Sequence, residues 1–273
     1  ASASVAMARA RTPIAGPALT SIGPMAFGPN GELLAADPMA ATIYSIGLDT
    51  QASGVRTGTA NVASIDQKIA ALLGTDAANV RIVDIVVHPT SKNTFVAVMR
   101  GQGTDAMPAI VRVDGAGAID LVSLDNASFT NVTLPSPPAV NTTGRGGRAQ
   151  SITDLAFSNG RVYVSGISNE EFASKLYSVA YPFSATDKGT SVEIFHGNHG
   201  QLETRSPVMS FVPLMIANQP HIVAGYTCTP LVKFPVSSLT TGTGKVLGTT
   251  MAEFGAGNQP LDIIVYSKGG QQY

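Results

Sequence analysis

Five short apolar segments recur along this chain, and each ends in the same kind of punctuation. They are 22–31 (IGPMAFGPNG), 82–92 (IVDIVVHPTSK), 152–160 (ITDLAFSNG), 210–220 (SFVPLMIANQP) and 261–269 (LDIIVYSKG). In each, a run of alternating or continuous apolar residues meets a turn rich in Gly, Asn, Pro or Ser, and a second apolar run follows. The segments lie roughly 50 to 70 residues apart, a spacing that marks a structural repeat. A unit of three or four short strands cannot bury its apolar face alone. The chain is therefore constrained to stack its units against one another.

The first and third copies match best. Met25-Ala26-Phe27 lies over Leu155-Ala156-Phe157, Leu33-Leu34-Ala35-Ala36 over Val162-Tyr163-Val164-Ser165, and Tyr44-Ser45-Ile46 over Tyr177-Ser178-Val179. The second and fourth copies carry Phe95-Val96-Ala97-Val98 and Ile222-Val223-Ala224-Gly225 at the second-strand position. Strand, turn, strand, longer loop, strand is the order of a propeller blade. The expected fold is all-β: a β-propeller of four-stranded blades with inner strands starting near Met25, Ile85, Leu155, Phe211 and Ile263. The chain resembles the degenerate bacterial propellers of the YVTN, NHL and quinoprotein-like kind over roughly residues 20–273. No WD dipeptide or repeated kelch glycine pair narrows the resemblance. A β-sandwich of similar strands is the alternative.

Residues 1–273 read as one domain. About five blades are visible, against the six or seven expected for a full ring. The fifth is expected to stop after its first hairpin, at a turn over 267–270. A C-terminal part that is missing here or supplied by a second chain is the favoured expectation for completing the ring, and closure by residues 12–20 is the alternative.

Composition removes several function classes. Net charge is -1 and only 13% of residues are charged, so no basic stripe offers the electrostatic footprint of nucleic-acid binding. One Cys and no Trp exclude an internal disulfide, a multi-cysteine zinc cluster and a tryptophan-derived quinone. There is no CxxCH, no phosphate loop and no GxSxG. No apolar run is long enough to span a membrane. The Ala- and Ser-rich start resembles a trimmed mature end, and periplasmic or secreted localisation is expected.

One stretch breaks the β pattern. Residues 64–74 (SIDQKIAALLG) predict a short helical insertion. Ser64 and Gln67 have capping-box spacing, Ile65, Ile69, Leu72 and Leu73 form the apolar face, and Gly74 ends the helix. Residues 81–87 predict an inner strand covered on both faces. Residues 130–149, with three prolines and GRGGR, predict the longest loop, and long loops inside compact domains often carry function.

In the resembled fold, loops entering the innermost strands and loops between second and third strands open on one face. That groups Arg145, Arg148, His196, His199, Glu203 and Arg205 with the loop of Glu170 and Glu171 and with Cys228. His88 and His221 fall toward the other face. The segment His196-Gly197-Asn198-His199 is the sharpest metal candidate. Imidazole suits copper, zinc or iron, and the glycines let the backbone turn so that both rings converge. Glu203 or Cys228 completes the set; copper is the first expectation, zinc or iron the next. Arg145, Arg148 and Arg205 suit an anionic substrate, since guanidinium forks match carboxylate, phosphate or sulfate. Asp84, Asp154 and Asp262 recur at the mouths of three inner strands. There they either cap neighbouring N–H groups or hold calcium or a substrate.

The expected function is thus an exported propeller enzyme with a metal-assisted site at the channel mouth. His196, His199 and Glu203 form its centre, and Arg145, Arg148, Arg205 and Asp154 bind a small anionic substrate. Oxidation leads. Metal-dependent hydrolysis of a lactone or ester is the alternative, implied by the axial carboxylates of lactonase-like propellers, and a non-catalytic subunit of a heteromeric complex is the third reading.

Overall fold

A computed structural model describes residues 15–48, 61–227, 230–239 and 244–273. In chain order the strands are β1 (Met25–Phe27), β2 (Leu33–Asp37) and β3 (Thr42–Ile46), followed by helix α1 (Ile65–Leu72). Next come β4 (Val80–Val87), β5 (Thr94–Arg100), β6 (Met107–Val113), β7 (Ile119–Leu121) and β8 (Phe129–Thr133). Then follow β9 (Asp154–Ser158), β10 (Arg161–Ile167), β11 (Ser174–Ala180), β12 (Thr190–His196) and β13 (Gln201–Glu203). The last are β14 (Val208–Ile216), β15 (Gln219–Tyr226), β16 (Pro230–Pro235), β17 (Lys245–Leu247), β18 (Thr249–Glu253), β19 (Ser267–Lys268) and β20 (Gln271–Gln272).

These strands form separate antiparallel sheets, and the architecture is that of an incomplete propeller. Three sheets have four strands, in the orders β1-β2-β3-β8, β4-β5-β6-β7 and β14-β15-β16-β18. The remaining large sheet runs β9-β10-β11-β12, extended by β13 and by a parallel pairing of β17 with β12. β19 and β20 form a small hairpin. The first strand of each large sheet is its innermost. β1 lies between β4 and β9, and β9 lies beside β14.

The blades do not follow one another in space as they do in sequence. The chain builds three strands of the first blade, crosses to the second on one side, then returns to lay β8 against β3. It next passes to the third blade on the other side of the first. The 130–149 stretch was expected to be loop, but Phe129–Thr133 is this returning strand. Its ladder covers the exposed edge of β3, with Val132 buried and Thr133 Oγ1 2.9 Å from Thr42 Oγ1. An unpaired β3 would expose a row of backbone groups, which natural sheets avoid.

Three apolar clusters fill the spaces between blades. One joins the first and second through Met25, Leu33, Phe95 and Ile110; another joins the first and third through Leu34, Ile43, Leu155 and Val164. The third joins the third and fourth through Ile194, Phe211, Ile222 and Phe234. β4 was expected to be covered on both faces. Instead Ile85 and Val87 are each 51% exposed, because the second blade has a described neighbour on only one side.

Helix α1 forms where expected and packs Ile69 onto Val96, Val98, Val111 and Val113 of the second blade. Its start differs from the expected capping box. Ser64 takes a left-handed backbone (φ 52°) and makes no side-chain cap bond. Ala70 is buried in place of Leu72, which faces solvent. Gly74, at φ +64°, ends the helix as predicted, in the left-handed region that favours glycine.

The aspartates at the inner-strand mouths are staples between blades. Asp84 Oδ2 accepts the Met25 N–H at 2.6 Å, and Asp154 Oδ2 accepts the Phe211 N–H at 2.6 Å. The Oδ1 atoms accept the next residue's N–H, from Ile85 at 2.8 Å and Leu155 at 2.7 Å. Asp262 repeats the pattern with Ile263 N–H at 2.6 Å and the Ser210 hydroxyl at 3.1 Å. The fifth repeat otherwise departs from expectation. Its turn falls at Gly269-Gly270, but residues 261–265 pair with no strand and the ladder begins only at Tyr266 and Tyr273.

Candidate metal centre

The centre is built on one hairpin. β12 is the fourth strand of the third blade, and His196 is its last residue. The chain then turns through 197–200, with the N–H groups of His199 and Gly200 donating to the His196 carbonyl at 3.1 and 2.9 Å. Gly200 (φ +63°) completes the turn, and β13 runs back so that Glu203 pairs with Ile194. A tight turn between two paired strands brings residues 196, 199 and 203 to one spot, which spacing alone only permits.

His196 is 2% exposed, and its ring centroid lies 4.1 Å from that of His199, the planes tilted by 43°. His199 Nδ1 lies 2.5 Å from Glu203 Oε1. His196 Nδ1 lies 3.0 Å from Glu203 Oε2, within ion-pair distance but without hydrogen-bond geometry. Neither ring nitrogen of His196 meets a hydrogen-bond partner among the described residues. Burial would raise the Glu203 carboxyl. The Ser206 hydroxyl donates to Oε2, however, and with the two imidazoles it holds the group down to about 2. Glu203 is therefore an anion at any physiological pH.

These features fit a metal ion. A buried imidazole whose nitrogens lack hydrogen bonds is costly unless something else satisfies it. Ligand atoms of His196, His199 and Glu203 all fall within 4.8 Å of one another, the one such group of three among the described residues. Asp84, Asp154 and Asp262 do not form such a group, so the expected calcium site gives way to the backbone staples above. Cys228, named as a further ligand, lies outside the described residues.

The centre stands at the outer rim rather than the channel mouth, because β12 and β13 are the two strands farthest from the innermost β9 along the strand order β9-β10-β11-β12-β13. Gly197 comes close to Glu253 of β18, at the edge of the fourth blade. Some of the loops expected on one face do meet. Ser174 N–H donates to Thr204 O at 2.9 Å, and Arg205 Nη1 to Glu171 O at 3.3 Å, tying the metal loop to the 168–173 loop. Asn169 N–H reaches Ser136 O at 2.8 Å, so the proline-rich loop docks there too.

The arginines separate. Arg205 is exposed two residues beyond Glu203, and Arg145 is exposed on its own loop. Arg148 is buried and donates Nε to Met39 O and Nη1 to Pro138 O, both at 2.9 Å. Its guanidinium is engaged in holding loops together. Asp154 is occupied with two N–H groups. Burial pushes its carboxyl up to about 7, against the hydrogen bonds from Phe211 and Leu155. His88 and His221 sit near the opposite face in backbone contacts, His88 Nδ1 accepting from Ser91 N–H at 3.0 Å and His221 Nδ1 2.9 Å from Gln219 O. Ser206, which orients Glu203, was not foreseen; no local pattern distinguishes it from other loop serines.

Fold and site together define an incomplete propeller with a metal-competent His-His-Glu cluster on its rim. No protein-family model matches the chain, and no curated protein does. Two solved structures are similar in part. One is virginiamycin B lyase from Staphylococcus aureus, at 11% identity and TM-score 0.22, aligned over 86% of this chain and 73% of that one. The other is the PQQ-bound form of an aldose sugar dehydrogenase from Streptomyces coelicolor, at 14% identity and TM-score 0.18, over 78% and 62%. At these scores neither carries an argument about activity.

Proposed function

We propose that this chain is an exported propeller metalloenzyme that oxidises a small anionic substrate. The observation that supports it is His196: a buried imidazole whose ring nitrogens make no hydrogen bond among the described residues, with Nδ1 3.0 Å from a carboxylate kept ionised. Two imidazoles and one carboxylate leave coordination positions open, as catalytic sites require. With Glu203 as the third donor, iron(II) and zinc stand beside copper. When bound, iron or copper supplies electron-transfer chemistry, and zinc would supply Lewis-acid hydrolysis of an ester or lactone instead. His196, His199 and Glu203 hold the ion, and Ser206 orients Glu203. Arg205, exposed beside the site, offers its fork to the substrate's anionic group, with Arg145 on a loop docked to the same neighbour. No described helix is long and apolar enough to cross a membrane.

Elemental analysis of the purified protein tests the reading. About one transition ion per chain is expected, lost in His196→Asn and Glu203→Gln variants that keep their circular dichroism. An Arg205→Met variant should raise KM for an anionic substrate and leave kcat nearly unchanged. Absence of metal, together with no binding of iron(II), copper or zinc on titration, would overturn it.

A second reading rests on a different observation. Leu261 is 96% and Ile264 72% exposed on a stretch whose pattern repeats that of an inner strand. Such an edge suits strand pairing with a partner chain, and the protein would then be a subunit of a heteromeric complex. Light scattering on native material separates the two readings: a metal-free heteromer favours the second.

A further inference from the structure

On the face opposite the metal centre, the first and third blades leave a cleft of about 590 Å³ between them. The alternation of antiparallel strands puts the turn after β1, the end of β3, the start of β8, the turn after β9 and the end of β11 all on this side. The metal hairpin follows the opposite end of β12. Nothing in the proposed reaction uses this cleft, and its size is that of a small-molecule site.

Its lining is chemically one-sided. Phe129, Phe157 and Tyr181 bring three aromatic rings, Glu32 brings the only charged group of the lining, and no Lys or Arg is present. Gly160, at φ +73° with open space around it, leaves the mouth unfilled. Phe157 meets Tyr181 edge to face at 5.7 Å, and Phe129 lies 5.9 Å from Tyr44, so each ring is held by an aromatic neighbour. Tyr181 Oη lies 2.8 Å from the Ser45 hydroxyl. Glu32 is braced as well: Oε2 accepts the Asn30 N–H and Oε1 the Asn30 side-chain N–H, each at 3.0 Å. Despite partial burial, these bonds keep its carboxyl below the usual range, so it carries its charge.

Aromatic faces present negative electrostatic potential, and a carboxylate adds a full negative charge. Aromatic and neutral polar walls with one anion disfavour anions and suit a weakly hydrated cation. From the convergence of Phe129, Phe157, Tyr181 and Glu32 on one basic-free cleft, we propose a binding site for a small organic cation of the methylated-ammonium class. The methyl groups lie against the rings and the positive charge is balanced by Glu32. This site is independent of the metal centre and of the reaction proposed there.

Calorimetric titration with choline tests it, beside 3,3-dimethylbutan-1-ol, the neutral isostere that keeps the shape and removes the charge. Choline should bind with one site per chain, and the isostere about tenfold more weakly or less well still, the ratio expected for a cation–π and ion-pair contribution. Glu32→Gln should weaken choline about tenfold with no change for the isostere. Phe157→Leu should weaken choline several-fold with the fold intact by circular dichroism. With no Trp to obscure it, the fluorescence of the seven tyrosines gives an independent readout, and the part of any change lost in Tyr181→Phe is the part that arises at the cleft. Equal affinity for choline and the isostere, choline binding unchanged in Glu32→Gln, or no saturable choline binding would each overturn the proposal.

Discussion

At the scale of single residues, two carboxylates with opposite shifts define the pH behaviour. Asp154 keeps its proton in the fold to about pH 7, whereas the unfolded chain releases it near 4. Between these values the folded state binds more protons, so this residue's contribution to stability falls as pH rises from about 4 to about 7. Glu203 behaves inversely: its carboxyl, held at about 2, contributes stability that is present above about 4.5 and lost as pH falls toward 2. Urea denaturation across pH 4–8 should show the first slope. Asp154→Asn should flatten most of it, leaving the smaller part from Asp84, whose carboxyl burial also raises. An unchanged slope would refute the buried-staple account. The residue types at these positions were legible in sequence, but their opposite electrostatics were not. Asp154 faces a neighbouring blade's backbone, and Glu203 faces two imidazoles and a hydroxyl, surroundings that chain order does not list.

At the scale of elements, loops are held by a few buried polar anchors. Arg148 ties the proline-rich loop to the first blade through Met39 O and braces that loop on itself through Pro138 O. Arg148→Met keeps the aliphatic bulk and removes both bonds. A loss of about 3–6 kcal/mol is expected, on the order of two hydrogen bonds to a charged donor. The measurement is the denaturation midpoint at pH 7. A phosphate or carboxylate substrate is expected not to rescue the variant, since the anchor does not face solvent. Sequence reading grouped Arg148 with the exposed arginines because composition made every charge conspicuous. Only the docking of its loop decided that this one points inward. The same limit explains β8. FTNVT alternates as a strand should, but its partner β3 lies more than eighty residues upstream, and Pro- and Thr-rich flanks obscured the pattern. Helix α1 was readable because its apolar period is local, while its capping box was not formed because Ser64 adopts a left-handed turn.

At the scale of the whole molecule, the blades form an open row in which the second blade and the 261–266 stretch each have an uncovered side. Ile85, Val87, Leu261 and Ile264 are the apolar residues so exposed. Contiguous apolar exposure of this kind marks association surfaces. The expected outcome is concentration-dependent association that Ile264→Glu weakens without shifting the melting point, read by sedimentation or light scattering. A monomer at all concentrations would remove the support for self-association through this surface.

The sequence by itself determined the β character, the four-stranded unit, the turn positions and the His-Gly-Asn-His segment that can fold back on itself. Those are local properties: side-chain period, turn chemistry and spacing act over a handful of residues. The tertiary structure alone decided that the first blade sits between the second and third, and that β8 returns to complete it. It also decided that the inner-strand aspartates staple neighbouring blades and that the His-His-Glu cluster stands at the rim. Each of these depends on which distant surfaces bury one another. Apolar burial is non-directional, and many pairings of similar strands satisfy the same pattern. The choice among them is made by how whole blades fit together, and that fit is written in no single stretch of the chain.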